Sequence, residues 1–217
     1  MSVDMKAIVA SNFASKLKSQ VANCRFVKTT ETHWIHYWRS YIQPQDVRKA
    51  DAIEFFESAL SKWELYATRG RIATSILDFK KQIKRDSHVD TLAMFVIDAN
   101  WWQTREPFPA LPPKPMGFCQ FRRTWCNNIA VDYIAAHPVL LDPNPPVLGV
   151  GTALLYQVAI VAKNLGAKSI WLETTDLSLG YYRGMFGTKA ASDLLILPAS
   201  VFYQSLHRRF AGARMKK

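Results

Sequence analysis

Residues 140–186 read LLDPNPPVLGVGTALLYQVAIVAKNLGAKSIWLETTDLSLGYYRGMF, and this stretch decides the fold because signals for a strand, a turn, a helix and a second strand follow one another in it. Residues 140–143 predict the end of a strand before a proline-stiffened turn. Apolar residues then recur at spacings of three and four, which predicts a helix that Gly166 ends. Residues 169–175 have the composition of a buried strand.

The turn before the predicted helix carries Gly149 and Gly151. Glycine lets the backbone approach a ligand closely, and the first N–H groups of a helix have no acceptor within it. Such a helix start attracts anions, so the turn predicts a phosphate site. Glycines are also common at turns that bind nothing, and a plain structural turn is the alternative from these two residues alone.

Residues 142–155 and two later segments together resemble the GNAT acetyltransferase superfamily. The family has a strand that ends in an apolar-x-Pro, a Q/R-x-x-G-x-G/A turn at a helix start, a second strand, and an aromatic-Tyr pair at the next helix. Here Pro143 stands six residues before Gly149, as in the family, and a leucine pair follows. The segments that carry the resemblance are residues 142–155, Glu173-Thr174-Thr175 and Tyr181-Tyr182-Arg183.

The chain departs from the family pattern at three places. Pro146 stands where the family has Gln or Arg, so one side chain that usually steadies a pyrophosphate is absent. Thr175 replaces the usual Asn, and the family's Gly-Phe occurs inverted as Phe186-Gly187. These departures concern the details of ligand binding more than the fold.

The resemblance implies an acyltransferase that uses acetyl-CoA as its cofactor. It places the pyrophosphate at the turn and the pantetheine arm along the preceding strand, where a backbone N–H would polarise the thioester carbonyl. The cofactor-binding residues that it implies are Leu140, Leu141, Leu148, Gly149, Val150, Gly151, Thr152, Ala153 and Thr175.

Two side chains are candidates for proton transfer. The resemblance makes Tyr182 the acid that protonates the leaving thiolate, with packing of both tyrosines as the alternative. His137 precedes Pro143 on the predicted strand, and an imidazole titrates near neutrality, so it is the candidate base. A histidine hydrogen-bonded at a bend is equally open, and Asp132 and Glu173 are the other candidate bases.

The composition describes one globular domain of 217 residues with a net charge of +11. Its three cysteines lack C-x-x-C spacing, so neither a zinc site nor a disulfide framework is predicted, and no metal is expected. No secretory signal or membrane-spanning run is visible, so we expect a cytoplasmic protein without membrane contact. The positive charge would attract anions such as coenzyme A or nucleic acid without choosing between them.

The periodicities predict an α/β domain over 1–217, with a mostly helical part at 1–90, a twisted, largely antiparallel sheet and cofactor core at 91–197, and a helix with a basic tail at 198–217. Helices are predicted over 5–21, 32–41 and 46–66 and beyond Gly70, and further strands at 24–28, 91–98, 116–123, 129 onward and 194–197. One parallel crossover is expected at the ligand turn. A long loop at 101–115 is a candidate lid. The aromatic residues of 32–41 are interpreted as core, or else as part of an acceptor wall.

The function that the resemblance implies is transfer of an acetyl or other acyl group to an amine, by direct attack on the thioester. The acceptor is a small molecule or a peptide. A catalytically impaired protein that binds nucleic acid or an acidic partner is the alternative, favoured by the three departures. A nucleic-acid-linked amine is a third interpretation, although the chain carries no recognised RNA-binding motif.

Overall fold

The structure is a computed structural model that describes residues 5–13, 16–32, 34–38, 47–99, 115–141, 145, 147–187 and 193–214. Within these residues, the chain forms a single sheet with helices on both faces. Its strands are β1 Met5–Phe13, β2 Lys16–Phe26, β3 Thr91–Asp98, β4 Gly117–Arg123, β5 Ile129–Ala136, β6 Val147–Leu148, β7 Ser169–Glu173 and β8 Leu194–Pro198. Its helices are α1 Trp34–Trp38, α2 Val47–Thr68, α3 Ile76–Arg85, α4 Val150–Leu165, α5 Asp176–Phe186 and α6 Ala199–Arg214.

The described strands form a sheet in the order β6-β1-β2-β3-β4-β5-β7-β8. Neighbouring strands pair antiparallel except β5 and β7, which pair parallel. Helix α4 makes the crossover between these two strands, as parallel neighbours require. The predicted α/β architecture with one parallel crossover at the ligand turn is therefore confirmed.

Both faces of the sheet are buried, which explains the continuous apolar run of β3. Phe95 and Phe121 face a core shared with α3, α4 and α6, whereas Met94 and Phe118 face a core shared with α1 and α2. Trp34 and Trp38 of α1 are fully buried in the second core, so the aromatic residues described there are core residues.

Two predicted elements are wrong. The helix predicted over 5–21 is replaced by β1 and β2, which pair with each other from Met5 to Cys24. This pairing satisfies the backbone of both segments, and tertiary context of this kind overrides local periodicity. The strand predicted to end at residues 140–143 ends at Ala136 instead, because Pro138 has no N–H for a ladder, and a 3-10 turn follows over Pro138–Leu141.

The sheet opens between β5 and β7. Their parallel pairing covers only Ile129–Val131 and Ile170–Leu172, although β5 continues to Ala136. At the same point β5 carries a bulge, because Phe121 pairs with Val131 and Gln120 pairs with Tyr133, which leaves Asp132 as the extra residue. A bulge bends its strand and strengthens the local twist. The two strands therefore diverge and leave a wedge between them.

Gly117 at the start of β4 allows α4 to begin close to the sheet. A Cβ built there would lie 2.5 Å from Val150 Cγ1 and 2.9 Å from the Ala135 carbonyl oxygen. Both separations are shorter than van der Waals contact permits, so any larger residue would displace the first turn of α4.

We predict that Gly117→Ala lowers the free energy of unfolding by about 1–3 kcal/mol, because overpacking forces the helix or the β5 backbone to shift. Chemical denaturation measures the change. Gly184→Ala in α5 is the matched control, since a Cβ there meets no atom within 4 Å and alanine favours a helix. Equal stability of both variants would contradict the close packing at Gly117.

Candidate functional site

The start of α4 has the geometry of an anion site. Gly149 is the N-cap, with φ 85° and ψ 7°, and no side chain caps the helix. This left-handed conformation favours glycine. The first intrahelical bond runs from the Ala153 N–H to the Gly149 carbonyl at 2.9 Å, so the preceding N–H groups of the first turn have no helical acceptor. Residues 148–153 thus include the predicted helix start, and their contact with a phosphate stays a prediction.

Tyr181 of α5 lies against this helix start. Its hydroxyl is 2.8 Å from Thr152 Oγ1, and it would be 3.4 Å from a Cβ built at Gly151. Burial raises the pKa of Tyr181, while the hydrogen bond to Thr152 opposes that shift. Sequence analysis missed this contact because the two residues lie 29 positions apart, and the tyrosine pair was its only signal.

The wedge between β5 and β7 forms a cleft of about 450 Å³. One wall comes from β5, the other from the end of β7 and the start of α5, and Phe55 of α2 and Leu194 of β8 complete it. Val131 is the last β5 residue paired to β7, so the cleft begins where the pairing ends. The lining residues are Phe55, Val131, Asp132, Tyr133, Ile134, Glu173, Thr174, Thr175, Ser178, Tyr182, Asp193 and Leu194.

Tyr182 lines this cleft although it is only 3% exposed. Its ring packs edge-on against Tyr181 at 5.3 Å, and its hydroxyl has no hydrogen-bond partner among the described residues. Burial raises the pKa of this phenol well above its usual value near 10. The hydroxyl therefore stays protonated through the neutral range, as a phenol of ordinary pKa also does.

Thr175 is the N-cap of α5. Its side chain accepts the Ser178 N–H, and the Ser178 side chain accepts the Thr175 N–H, which completes a capping box. Threonine at the position of the family's asparagine therefore preserves the helix start. The residue also lines the cleft, and its contact with the cofactor stays a prediction.

His137 lies outside the cleft lining and is fully buried. Its ring packs edge-on against Trp38 at 5.0 Å, and its Nδ1 accepts the Val139 N–H at 3.3 Å. These contacts match the alternative of a histidine hydrogen-bonded at a bend, at the start of the 3-10 turn. Leu140 lies in the same turn with a buried side chain, and Leu141 ends it, so neither lies on the strand that flanks the wedge.

Two of the candidate bases, Asp132 and Glu173, line the cleft, and among the described residues only Asp132 of the two is held in ion pairs. Asp132 Oδ1 lies 3.0 Å from both Lys62 Nζ and Arg122 Nε, so that oxygen is held in ion pairs. Glu173 ends β7 with an exposed side chain and has no ion pair with another described residue. Glu173 is therefore the accessible carboxylate at the mouth of the wedge.

Neither a metal-ligand cluster nor a membrane-spanning helix is found in the described part of the chain. No group of three or more His, Cys, Asp or Glu residues there could hold a metal ion. No described helix has both the length and the apolar character needed to cross a membrane. The predicted loop at 101–115 and the residues Pro143 and Pro146 lie outside the described residues, apart from Pro115.

We predict that His137→Ala lowers the free energy of unfolding by about 2 kcal/mol or more, because it removes a buried ring from the second core. Thermal and chemical unfolding measure this loss. His88→Ala, at an exposed position, is the matched control and should leave stability unchanged. A His137→Ala protein of unaltered stability that has lost a pH-dependent activity would instead restore His137 as a base.

Comparison with known proteins agrees with this geometry. Residues 76–187 match the model of the Acetyltransferase (GNAT) family. No curated protein sequence matches the chain significantly. The family match confirms the predicted resemblance and, with it, acetyl-CoA as the cofactor of this kind of domain.

Several solved structures are similar to parts of this chain. A GNAT-family acetyltransferase from Staphylococcus aureus Mu50 is 14% identical over 75% of this chain and 80% of its own, with a TM-score of 0.43. The YncA protein of Salmonella typhimurium, solved with its cofactor acetyl-CoA, is 12% identical over 82% and 94%, with a TM-score of 0.44. Nourseothricin acetyltransferase is 20% identical over 50% of this chain and 65% of its own, with a TM-score of 0.35. The match thus spans less than two thirds of that protein.

Proposed function

Because the chain belongs to the GNAT acetyltransferase family, we propose that it transfers an acetyl group from acetyl-CoA to an amine that enters the wedge between β5 and β7. This proposal rests on two structural features that lie next to each other. An open helix start with unpaired N–H groups lies beside strands that part after three residue pairs.

The residues at this junction fit the cofactor. The N–H groups of the first turn of α4 would bind its pyrophosphate, because they point out of the helix and carry the positive end of its dipole. The β5 backbone beyond Val131 is not paired with β7 and would hold the pantetheine arm. Bound there, acetyl-CoA supplies the thioester whose C–S bond is replaced by a C–N bond to the amine.

The sheet separates the sides from which the two substrates would approach. Helix α4 lies on one face, whereas α2 with Phe55 lies on the other. In the wedge no hydrogen-bonded pair of described strands separates the two faces of the sheet. A cofactor bound at α4 and an amine lying against α2 would therefore come into contact in the wedge. Cofactor and acceptor would therefore approach from opposite faces of the sheet.

Two side chains of the cleft divide the proton transfers. We assign Glu173 as the base that takes the proton from the acceptor amine, because it is the accessible carboxylate at the wedge. Tyr182 holds the proton that the departing thiolate needs, since its buried phenol remains neutral. Asp132, held by Lys62 and Arg122, keeps the bulge in place.

We predict that Gly151→Val abolishes acetyl-CoA binding while the fold remains intact. A β-branched side chain would fill the space between the first turn of α4 and Tyr181, where the phosphate must reach the backbone. Isothermal calorimetry measures the affinity. Gly184→Val, on the exposed side of α5, is the control, and unchanged affinity in Gly151→Val would refute the phosphate site.

We predict that Tyr182→Phe lowers turnover about a hundredfold with acetyl-CoA still bound, because it removes only the donor hydroxyl. Tyr181→Phe should instead weaken acetyl-CoA binding by severalfold, through loss of the hydrogen bond to Thr152. Steady-state kinetics and calorimetry separate the two effects. If Tyr181→Phe loses turnover and Tyr182→Phe does not, the assignment of the acid is wrong.

We predict that Glu173→Gln lowers turnover about a hundredfold, since glutamine cannot accept the proton. Affinity for acetyl-CoA should not change. Unchanged turnover in the variant would exclude Glu173 as the base. A protein that binds acetyl-CoA but releases no thiol with any amine would favour the alternative of a binding protein.

A further inference from the structure

The cleft has a charge opposite to that of the whole chain. The sequence carries 28 Lys and Arg against 17 Asp and Glu, yet among the described residues that line the cleft every charged one is acidic. These residues are Asp132, Glu173 and Asp193. Lys62 and Arg122 form ion pairs with Asp132, and Arg122 also forms one with Asp90. The carboxylates of Glu173 and Asp193 have no cation paired with them among the described residues.

The Tyr182 hydroxyl lines the cleft without a hydrogen-bond partner among the described residues, and the buried Asp132 carboxylate beside it is only partly paired. The Asp132 side chain is 9% exposed, and its Oδ2 is buried without a hydrogen-bond partner among the described residues, although its Oδ1 is paired. Leaving such an oxygen without a donor costs free energy. The hydroxyl of Tyr182, also nine-tenths buried, is likewise unpartnered and lines the same cleft.

The remaining walls of the cleft suit a chain of methylene groups between positive charges. Phe55 is 41% exposed and packs edge-on against Tyr133 at 6.2 Å, and Leu194 is 47% exposed. Aromatic faces attract ammonium groups, and Tyr133 already has Lys62 Nζ at 5.7 Å from its ring centroid. Apolar surface of this kind packs against aliphatic carbon.

We propose that the acceptor is a small di- or polyamine, an aliphatic amine that carries at least one further positive charge. This inference rests on the proposed acetyl transfer and names its substrate class. One nitrogen lies at Glu173 for acetylation, a second ammonium group is bound by Asp193, and the methylenes between them pack on Phe55 and Leu194. The cleft volume of about 450 Å³ is typical of small-molecule sites.

The reaction balances with the residues already assigned. The ammonium form of the reacting nitrogen first releases one proton to water. The free amine then forms the C–N bond and gives a second proton to Glu173 while the C–S bond breaks. The sulfur takes the proton of Tyr182, and solvent exchange restores both side chains. Asp193 takes no part in these proton transfers, so it is a substrate-binding residue and its loss should affect recognition alone.

The test compares 1,4-diaminobutane with n-butylamine, which has the same carbon chain and only one nitrogen. In the unaltered protein we expect kcat/KM to be at least about tenfold higher for the diamine, because a charged hydrogen bond contributes about that much. Asp193→Asn should raise the KM of the diamine about tenfold with little change in kcat, and should leave n-butylamine unaffected. Glu64→Gln, at an exposed position on α2, is the matched control and should behave as the unaltered protein.

The outcomes separate this inference from the proposed function. Calorimetry with acetyl-CoA alone tests the function, and absence of binding overturns it. If acetyl-CoA binds but the diamine and n-butylamine are acetylated equally, the inference is overturned while the function stands. A lysine peptide that is acetylated more efficiently than the diamine, with no effect of Asp193→Asn, also overturns it in favour of a protein acceptor.

Discussion

The site depends on one extra residue in β5. Asp132 bulges out of the ladder with β4 at the point where the parallel pairing with β7 stops. The Asp132 carboxylate forms ion pairs with Lys62 of α2 and Arg122 of β4, so these ion pairs hold the bulged residue in place. Because the pairing ends there, the cleft between β5 and β7 begins at this point. β7 itself ends one residue beyond the last pair, at Glu173.

Helix α5 joins the two halves of the site through adjacent tyrosines. Successive residues of a helix point about 100° apart, so Tyr181 and Tyr182 reach different surroundings. The hydroxyl of Tyr181 meets Thr152 at the start of α4, whereas Tyr182 is buried at the cleft. The capping box at Thr175 fixes where α5 begins, and thereby which tyrosine takes which position. The helix start and the wedge are coupled because one short helix contacts both.

The net charge of the chain and the charge of the cleft lining have opposite signs and act over different distances. The net charge of +11 acts at long range and favours approach of a polyanion such as coenzyme A. Within the cleft the acidic lining acts at short range, on a ligand in direct contact with it. A protein that binds one anionic and one cationic ligand can use both fields at once, provided that the two are separated in space. Here the helix start and the carboxylates lie on different elements, which meets that condition.

The sequence by itself determined the parts of this protein that local physics controls. Gly149 at the helix start, Gly166 at its end and the apolar spacing between them specify α4, and the strand at β7 and the tyrosine helix follow from equally local signals. The tertiary structure alone decided the rest. The segment 5–21 became a hairpin because its backbone pairs across strands, and His137 lies against Trp38 because the strand before it ends early. The acidic cleft combines Phe55, Asp132, Glu173 and Asp193, which are far apart in the chain. Periodicity and capping describe neighbours along the chain, whereas strand register, bulges and cleft walls are set by contacts between distant segments, which no local pattern records.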